Sequence, residues 1–255
     1  MRVNCNETSA AWREIGVDRV VSWTAWFLIA AGTAARIIQY GANRALWLDE
    51  AVLARHMLHD SAAKLFGALG DCMAPPGYLL LGKALIAVMG PCEFAVRMPS
   101  LIAGIASLVL FYSLAKRLTG ELSAVAGLAI MAVNAHLIYY SAEVRPYAMD
   151  AAILLLILWI AAPLLKEDGP PSWPRIGCLT VIGALAPWFS FPSVFVVAGV
   201  VFTQVLLCVR NRSARDIRRY AVAWTAFAAS VAVLYWAIIV RVSGDSQTMR
   251  IMNGY

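Results

Sequence analysis

Long runs of apolar residues recur along this chain, and they constrain its fold more than any other feature. A helix that crosses a bilayer needs about 20 consecutive apolar residues, and several runs reach that length. Hydrophobic residues make up 61% of the sequence and charged residues 14%, whereas soluble domains carry about 25% charged residues. The sequence therefore predicts an all-α, polytopic membrane protein rather than a soluble domain.

Seven apolar segments are predicted to span the membrane. They cover residues 20–40, 97–115, 122–139, 147–165, 175–189, 192–209 and 220–240. A further apolar helix at 77–89 is short for a span and carries Lys83 in its middle, so we place it at the membrane interface. The basic loops then all lie on the side of the N-terminus, which the positive-inside rule assigns to the cytoplasm.

This topology divides the chain into three parts. Residues 1–19 form a cytoplasmic tail, residues 20–240 form the transmembrane domain, and residues 241–255 form an external segment. The first external loop, residues 41–96, carries an acidic motif and short juxtamembrane helices. Because the sequence stops in the external segment without a further apolar run, we expect the chain to be truncated.

The charged residues and cysteines exclude some functions. The net charge of +6 is spread between the predicted spans, so it indicates topology rather than nucleic-acid binding. Arg36, in the last turn of the first span, is expected to extend its guanidinium towards the interface. The five cysteines have no metal-type spacing, and we expect them to be free, although Cys72 and Cys92 could pair in an oxidising compartment.

Two adjacent carboxylates, Asp49 and Glu50, follow the first predicted span within Trp47–Arg55. Ionisable groups at a membrane boundary are costly unless they are paired or line a wet cavity, so this pair is a candidate for chemistry. The pair also suits a helix start, with Asp49 as N-cap and Glu50 in the first turn. Position alone leaves both interpretations open.

A second charged segment, residues 139–150, lies on the same predicted face of the membrane. It holds Glu143, Arg145 and Asp150, together with three tyrosines. A salt-linked interfacial turn would account for this segment by itself. Two charged segments on one face indicate instead that they meet around a site.

Four motifs resemble, in order, those of the GT-C glycosyltransferases of the protein O-mannosyltransferase and lipid A aminoarabinose transferase superfamily. They are WLDEA at 47–51, APPGYLL at 74–80, FAVRMPS at 94–100 and YSAEVRPY at 140–147. The resemblance implies transfer of a sugar from a polyprenyl-phosphate donor to a lipid, glycan or protein acceptor, at the external face of the cell membrane. The chain departs from the family in lacking its usual histidine before Pro75-Pro76 and in having about half its usual length.

The resemblance also implies roles for individual residues. Asp49 would be the general base of an inverting single displacement, and Glu50 would position it or bind the acceptor. The residues expected to bind the sugar or the lipid phosphate are Arg55, Arg97, Glu143, Arg145 and Tyr147. Guanidinium groups suit that task because they bind phosphate in bidentate form. No cofactor is expected, although His56 and His59 could bind a divalent metal ion.

Three other functions fit the same sequence. The chain could be a transporter with charges along its path, a structural or scramblase-like membrane protein, or a truncated and inactive relative. The near absence of acidic residues inside the predicted spans argues against a transporter. Gradient-driven uptake without a glycosyl product would favour it.

Overall fold

The protein is helical throughout the residues that the structure describes. The computed structural model describes residues 5–66, 74–164, 173–210 and 214–244, with side chains at 19–66, 74–164, 173–210 and 217–237. The helices are α1 Cys5–Gly41, α2 Leu48–His59, α3 Ala62–Leu65, α4 Pro76–Met89, α5 Glu93–Thr119, α6 Glu121–Val133, α7 Ala135–Tyr140, α8 Tyr147–Ala161, α9 Trp173–Phe189, α10 Ser193–Arg210 and α11 Ala214–Gly244. A 3₁₀ turn, Ala162–Leu164, continues α8.

Five helices in the described ranges are long and apolar enough to cross a membrane. They are Arg19–Gly41 in α1, Glu93–Thr119, Tyr147–Leu164, Ser193–Arg210 and Ile217–Ala237 in α11. These five coincide with predicted spans. The two remaining predictions fall on shorter helices, since α6 has 13 residues and α9 has 17. The prediction of an all-α, polytopic membrane protein is confirmed.

Hydrogen bonds between helices define the two ends of the bundle. Near the middle of α1, at the start of its membrane-spanning part, Ser22 donates to the carboxylate of Glu121 over 2.8 Å. About five turns further along α1, Tyr40 donates to the carbonyl of Phe94 at the start of α5, also over 2.8 Å. Helices α1 and α5 are therefore antiparallel. We call the two ends of the bundle the Ser22 end and the Tyr40 end.

The later helices also run in alternating directions between the two ends of the bundle. In α8, Trp159 donates to Ser113 near the end of α5, so α8 runs towards the Ser22 end. Tyr220 at the start of α11 donates to the carbonyl of Leu164 there. Trp188 near the end of α9 donates to Ser230 in the second half of α11. Both α9 and α11 therefore run back towards the Tyr40 end.

The short helices α2, α3 and α4 pack together at the Tyr40 end. Their shared apolar core includes the buried side chains of Leu53, Met57, Leu65, Tyr78 and Leu79. Helix α4 begins with Pro76, which suits a first turn because its missing N–H would have no partner there. The first turn of α4 packs on the end of α9, and the link after α4 leads directly into α5. Both ends of α4 thus lie at the Tyr40 end.

The expectation that Arg36 reaches the interface is wrong. Its side chain is 0% exposed, among α1, α5 and α6. It donates to the carbonyl of Gly32 over 2.9 Å and to that of Met131 over 3.4 Å. The tight contact between α5 and the loop after α7 closes this space: a Cβ on Gly104 would lie 2.5 Å from the Cβ of Ser141.

Several expectations concern the ends of the chain and its cysteines. Helix α1 begins at Cys5, so the helix extends through most of the predicted cytoplasmic tail. Cys92 is exposed and forms no disulfide within the described ranges. Cys72 and the last eleven residues of the predicted external segment lie outside those ranges, so their pairing and placement stay predictions.

Candidate functional site

The first turn of α2 carries both predicted catalytic carboxylates, but Asp49 is not the N-cap. Helix α2 begins at Leu48, and Trp47 is the N-cap residue. The carboxylate of Glu50 accepts a hydrogen bond of 3.0 Å from the backbone N–H of Trp47. Glu50 therefore performs the capping role that position had suggested for Asp49. Both carboxylates also lie where the positive end of the helix dipole favours negative charge.

Glu50 links the two charged segments that the sequence places on one face. It is 2% exposed, and its Oε1 atom accepts a hydrogen bond of 2.7 Å from the backbone N–H of Val144. Its Oε2 atom lies 3.6 Å from Nη2 of Arg97. Burying a carboxylate is costly unless it has hydrogen-bond and ion-pair partners such as these. Glu50 thus holds the start of α2 against the loop 141–146.

Arg97 completes this buried pair and fixes the turn after α1. It is 3% exposed and donates to Oδ1 of Asn43 over 3.2 Å and to the carbonyl of Arg44 over 2.7 Å. Asn43 has a φ of +39°, a left-handed conformation that asparagine adopts more readily than most residues. The guanidinium of Arg97 is therefore committed to protein groups.

Asp49 has a contrasting environment. Its side chain is 70% exposed, and Oδ2 lies 2.6 Å from Nη2 of Arg145. The same guanidinium donates to the hydroxyl of Tyr147 over 3.3 Å. The hydrogen bond to Tyr147, followed by the nearby carboxylates, raises the pKa of Arg145 above its usual value. Asp49 is thus an accessible carboxylate beside a permanent cation.

Two hydroxyl groups hold the backbone of the loop that carries Arg145. Ser100 donates to the carbonyl of Arg145 over 3.0 Å, and the oxygen atoms of Tyr78 and Ser100 are 2.9 Å apart. Because Ser100 has one proton and uses it on Arg145, Tyr78 is the donor in the second bond. Tyr78 and Ser100 were not among the predicted site residues. Their positions in the APPGYLL and FAVRMPS motifs are the signal that could have identified them.

Glu143 lies on the inner side of the loop, apart from Asp49. It lines a cavity of about 20 Å³ together with Glu50, Arg97 and Tyr139, which is room for one water molecule. Asp49, Arg145 and Tyr147 do not line this cavity. Arg55 is exposed on α2 and does not line it either. The structure thus arranges six predicted site residues in two adjoining groups. Glu50, Arg97 and Glu143 line the cavity, and Asp49, Arg145 and Tyr147 form a more exposed cluster.

The two histidines of α2 lie away from these carboxylates. His56 is buried, and its Nδ1 lies 2.5 Å from Oδ2 of Asp60. A hydrogen bond from Lys64, more than any other contact, lowers the pKa of Asp60. No group of three or more histidine, cysteine, aspartate or glutamate side chains suited to a metal occurs in the described part of the chain.

The fold and this site define an integral membrane protein whose acidic pair, Asp49 and Glu50, meets Arg97 and Arg145 at one end of a helix bundle. The dolichyl-phosphate-mannose-protein mannosyltransferase family matches residues 73–236, more than half of the chain. The chain belongs to this family, and it is a membrane glycosyltransferase of the GT-C type. No curated protein and no solved structure matches the chain significantly.

The family match covers only part of the site. It includes Arg97, Glu143, Arg145 and Tyr147, but it begins after Asp49 and Glu50. The acidic pair is therefore connected to the matched region by its contacts in the structure, namely those with Val144, Arg97 and Arg145.

Proposed function

We propose that the protein transfers a sugar from a polyprenyl-phosphate donor to a hydroxyl or amine acceptor, with Asp49 as general base. The acceptor atom forms a bond to the anomeric carbon while the bond from that carbon to the phosphate oxygen breaks. The electron pair of the broken bond leaves with the polyprenyl phosphate, and the proton of the acceptor passes to Asp49. This single displacement inverts the configuration at the anomeric carbon.

The contact of 2.6 Å between Asp49 and Arg145 is the observation that carries the proposal. It joins an accessible carboxylate to a loop within the family match. The ion pair with this guanidinium holds the carboxylate in a defined position. Glu50, buried and occupied by three partners, positions the base rather than binding the acceptor.

The finer assignments belong to the same proposal. The acceptor is a lipid, a glycan or a protein, and the site faces the external side of the cell membrane. Asp49 is 70% exposed, which suits an acceptor that approaches from the aqueous side.

Replacing the proposed base tests this function. We expect D49N to insert into the membrane normally and to lose at least 100-fold in transfer rate, because a general base contributes roughly 10²–10⁴-fold. The measurement is transfer of labelled sugar from a polyprenyl-phosphate donor by the purified protein in proteoliposomes. D60N is the matched control, since Asp60 follows the other end of α2 and contacts His56 and Lys64. Full transfer by D49N would rule out Asp49 as the base.

A further inference from the structure

An open cleft of about 540 Å³ lies between the end of α1 and α7, beside the candidate site. Its polar and aromatic lining comes from Gln39, Arg44, His136, Tyr139 and Tyr140. No predicted site residue lines it. The cleft and the small cavity beside Glu50 share Gln39, Arg44 and Tyr139 in their walls. The two spaces are therefore neighbours in one recess.

Arg44 provides a positive charge in the lining of this cleft. Its side chain is exposed, and it forms no ion pair with any carboxylate in the part of the chain that the structure describes. Its backbone is nevertheless fixed, because the carbonyl of Arg44 accepts the hydrogen bond of 2.7 Å from the buried Arg97. Arg97 also binds the neighbouring Asn43. The structure thus presents a cation from a rigid turn into a cleft.

The surroundings of the cleft are suited to a lipid chain. Val133, which lines the cleft at the end of α6, is 73% exposed. On α1, Ile37 and Ile38 are 51% and 73% exposed, immediately before Gln39. Exposed aliphatic side chains on apolar helices face hydrocarbon in a membrane protein. A ligand here would have its polar head beside Arg44 and an apolar tail against α1 and α6.

The arginines that the sequence predicted to bind the lipid phosphate do not line the cleft, so another residue is the candidate for this contact. Arg97 is buried and committed to Glu50, Asn43 and Arg44. Arg145 is paired with Asp49. Neither lines the cleft, and Arg55 does not line it. The cation that the cleft itself offers to a phosphate is Arg44, with His136 and Gln39 as additional hydrogen-bonding groups.

We propose that this cleft binds the phosphate of the polyprenyl-phosphate donor, with Arg44 as the principal contact. The donor and the phospholipids of the bilayer both carry a phosphate on a lipid. The identification of the bound lipid as the donor rests on the proposed function. The inner cavity has room for a water molecule only, so the sugar lies in the cleft as well. Tyr139 and Tyr140 line the cleft and supply aromatic side chains beside the sugar.

Binding measurements on the purified full chain in detergent test this proposal. The probes are a polyprenyl phosphate, the polyprenol of the same length, and phosphatidylglycerol, each followed by native mass spectrometry. We expect R44Q to bind the polyprenyl phosphate at least tenfold more weakly than the unaltered chain, because it removes the charge that meets the phosphate. R44K should retain most of the affinity. R175Q, which replaces an exposed arginine at the start of α9, is the matched control and should bind normally.

Three outcomes would overturn the proposal. They are equal binding by R44Q, equal binding of the polyprenol, and equally tight binding of phosphatidylglycerol, which would make the cleft a site for bilayer lipids. Thermal unfolding of R44Q verifies that a loss of binding is not a loss of fold. Because these assays measure binding alone, donor binding that depends on Arg44 without any sugar transfer would contradict the proposed function and leave this site intact.

Discussion

At the scale of single residues, adjacent carboxylates in one helical turn have different environments. Glu50 is buried against Arg97 and two backbone N–H groups, whereas Asp49 is exposed and paired with Arg145. A buried ion pair contributes little net stability, but the loss of one partner leaves an uncompensated charge and is costly. Glu50 and Arg97 are therefore expected to behave as a coupled pair.

A double-mutant cycle tests this coupling. We expect R97M to lower the free energy of unfolding by about 3 kcal/mol, because it leaves Glu50 buried without its cation. The double variant E50Q/R97M should lose less free energy of unfolding than the sum of the losses in the two single variants. Denaturant unfolding in mixed micelles measures the free energy of unfolding of the unaltered chain, the two single variants and the double variant. R175M, at an exposed position, is the control. Strictly additive losses would show that the two side chains act independently.

At the scale of the helices, the break between α6 and α7 gives the site its shape. Helix α6 ends at Val133, and the side chain of Asn134 caps α7 by accepting a hydrogen bond from the N–H of Leu137 over 3.1 Å. Arg36 lies behind the break and donates to the carbonyl of Met131 in the last turn of α6. Positive charge near a helix C-terminus is favourable because the last carbonyls lack helical partners.

We expect Arg36 to position α7 and the loop that follows it. R36M should increase hydrogen–deuterium exchange in peptides that cover residues 134–146, because the last turn of α6 loses its cationic donor. R36K retains the charge and should restore part of the protection. Peptides from α10 serve as an internal control, since α10 packs on α8, α9 and α11. Unchanged exchange at 134–146 in R36M would contradict this role.

At the scale of the whole molecule, every contact of the candidate site lies at the Tyr40 end. The Ser22 end has its own cluster, in which Glu121 accepts hydrogen bonds from Ser22 and Tyr112 and pairs with Lys116. The predicted topology places the Tyr40 end outside the cell and the Ser22 end in the cytoplasm. The basic residues Lys116 and Arg117 lie at the end that the positive-inside rule assigns to the cytoplasm.

Cysteine labelling tests this orientation. In a variant whose other four cysteines are replaced by serine, the exposed Cys92 should react with a membrane-impermeant maleimide added to intact cells. K116C in a cysteine-free background, at the Ser22 end, should react only after the cells are permeabilised. The reverse pattern would place the candidate site in the cytoplasm and contradict the proposed donor and acceptor geometry.

Much of the fold could be predicted because it depends on local properties of the chain. Apolar run length located the helices that are long enough to cross a membrane, and Pro76 marked the start of α4. The predicted span 122–139 was less accurate, because Asn134 ends α6 and begins α7. Asn134 competes with the helical backbone for hydrogen bonds, an effect that apolar run length does not register.

The sequence by itself determined the membrane class, the family and the two charged segments, because hydropathy and motif order are properties of neighbouring residues. Only the tertiary structure decided which charges meet. The bonds from Asp49 to Arg145 and from Glu50 to Val144 cross more than 90 positions. The burial of Arg36 and the open position of Arg44 depend on how the helices pack around them. Desolvation and pairing are set by packing, and packing assigns Asp49 and Glu50 different environments.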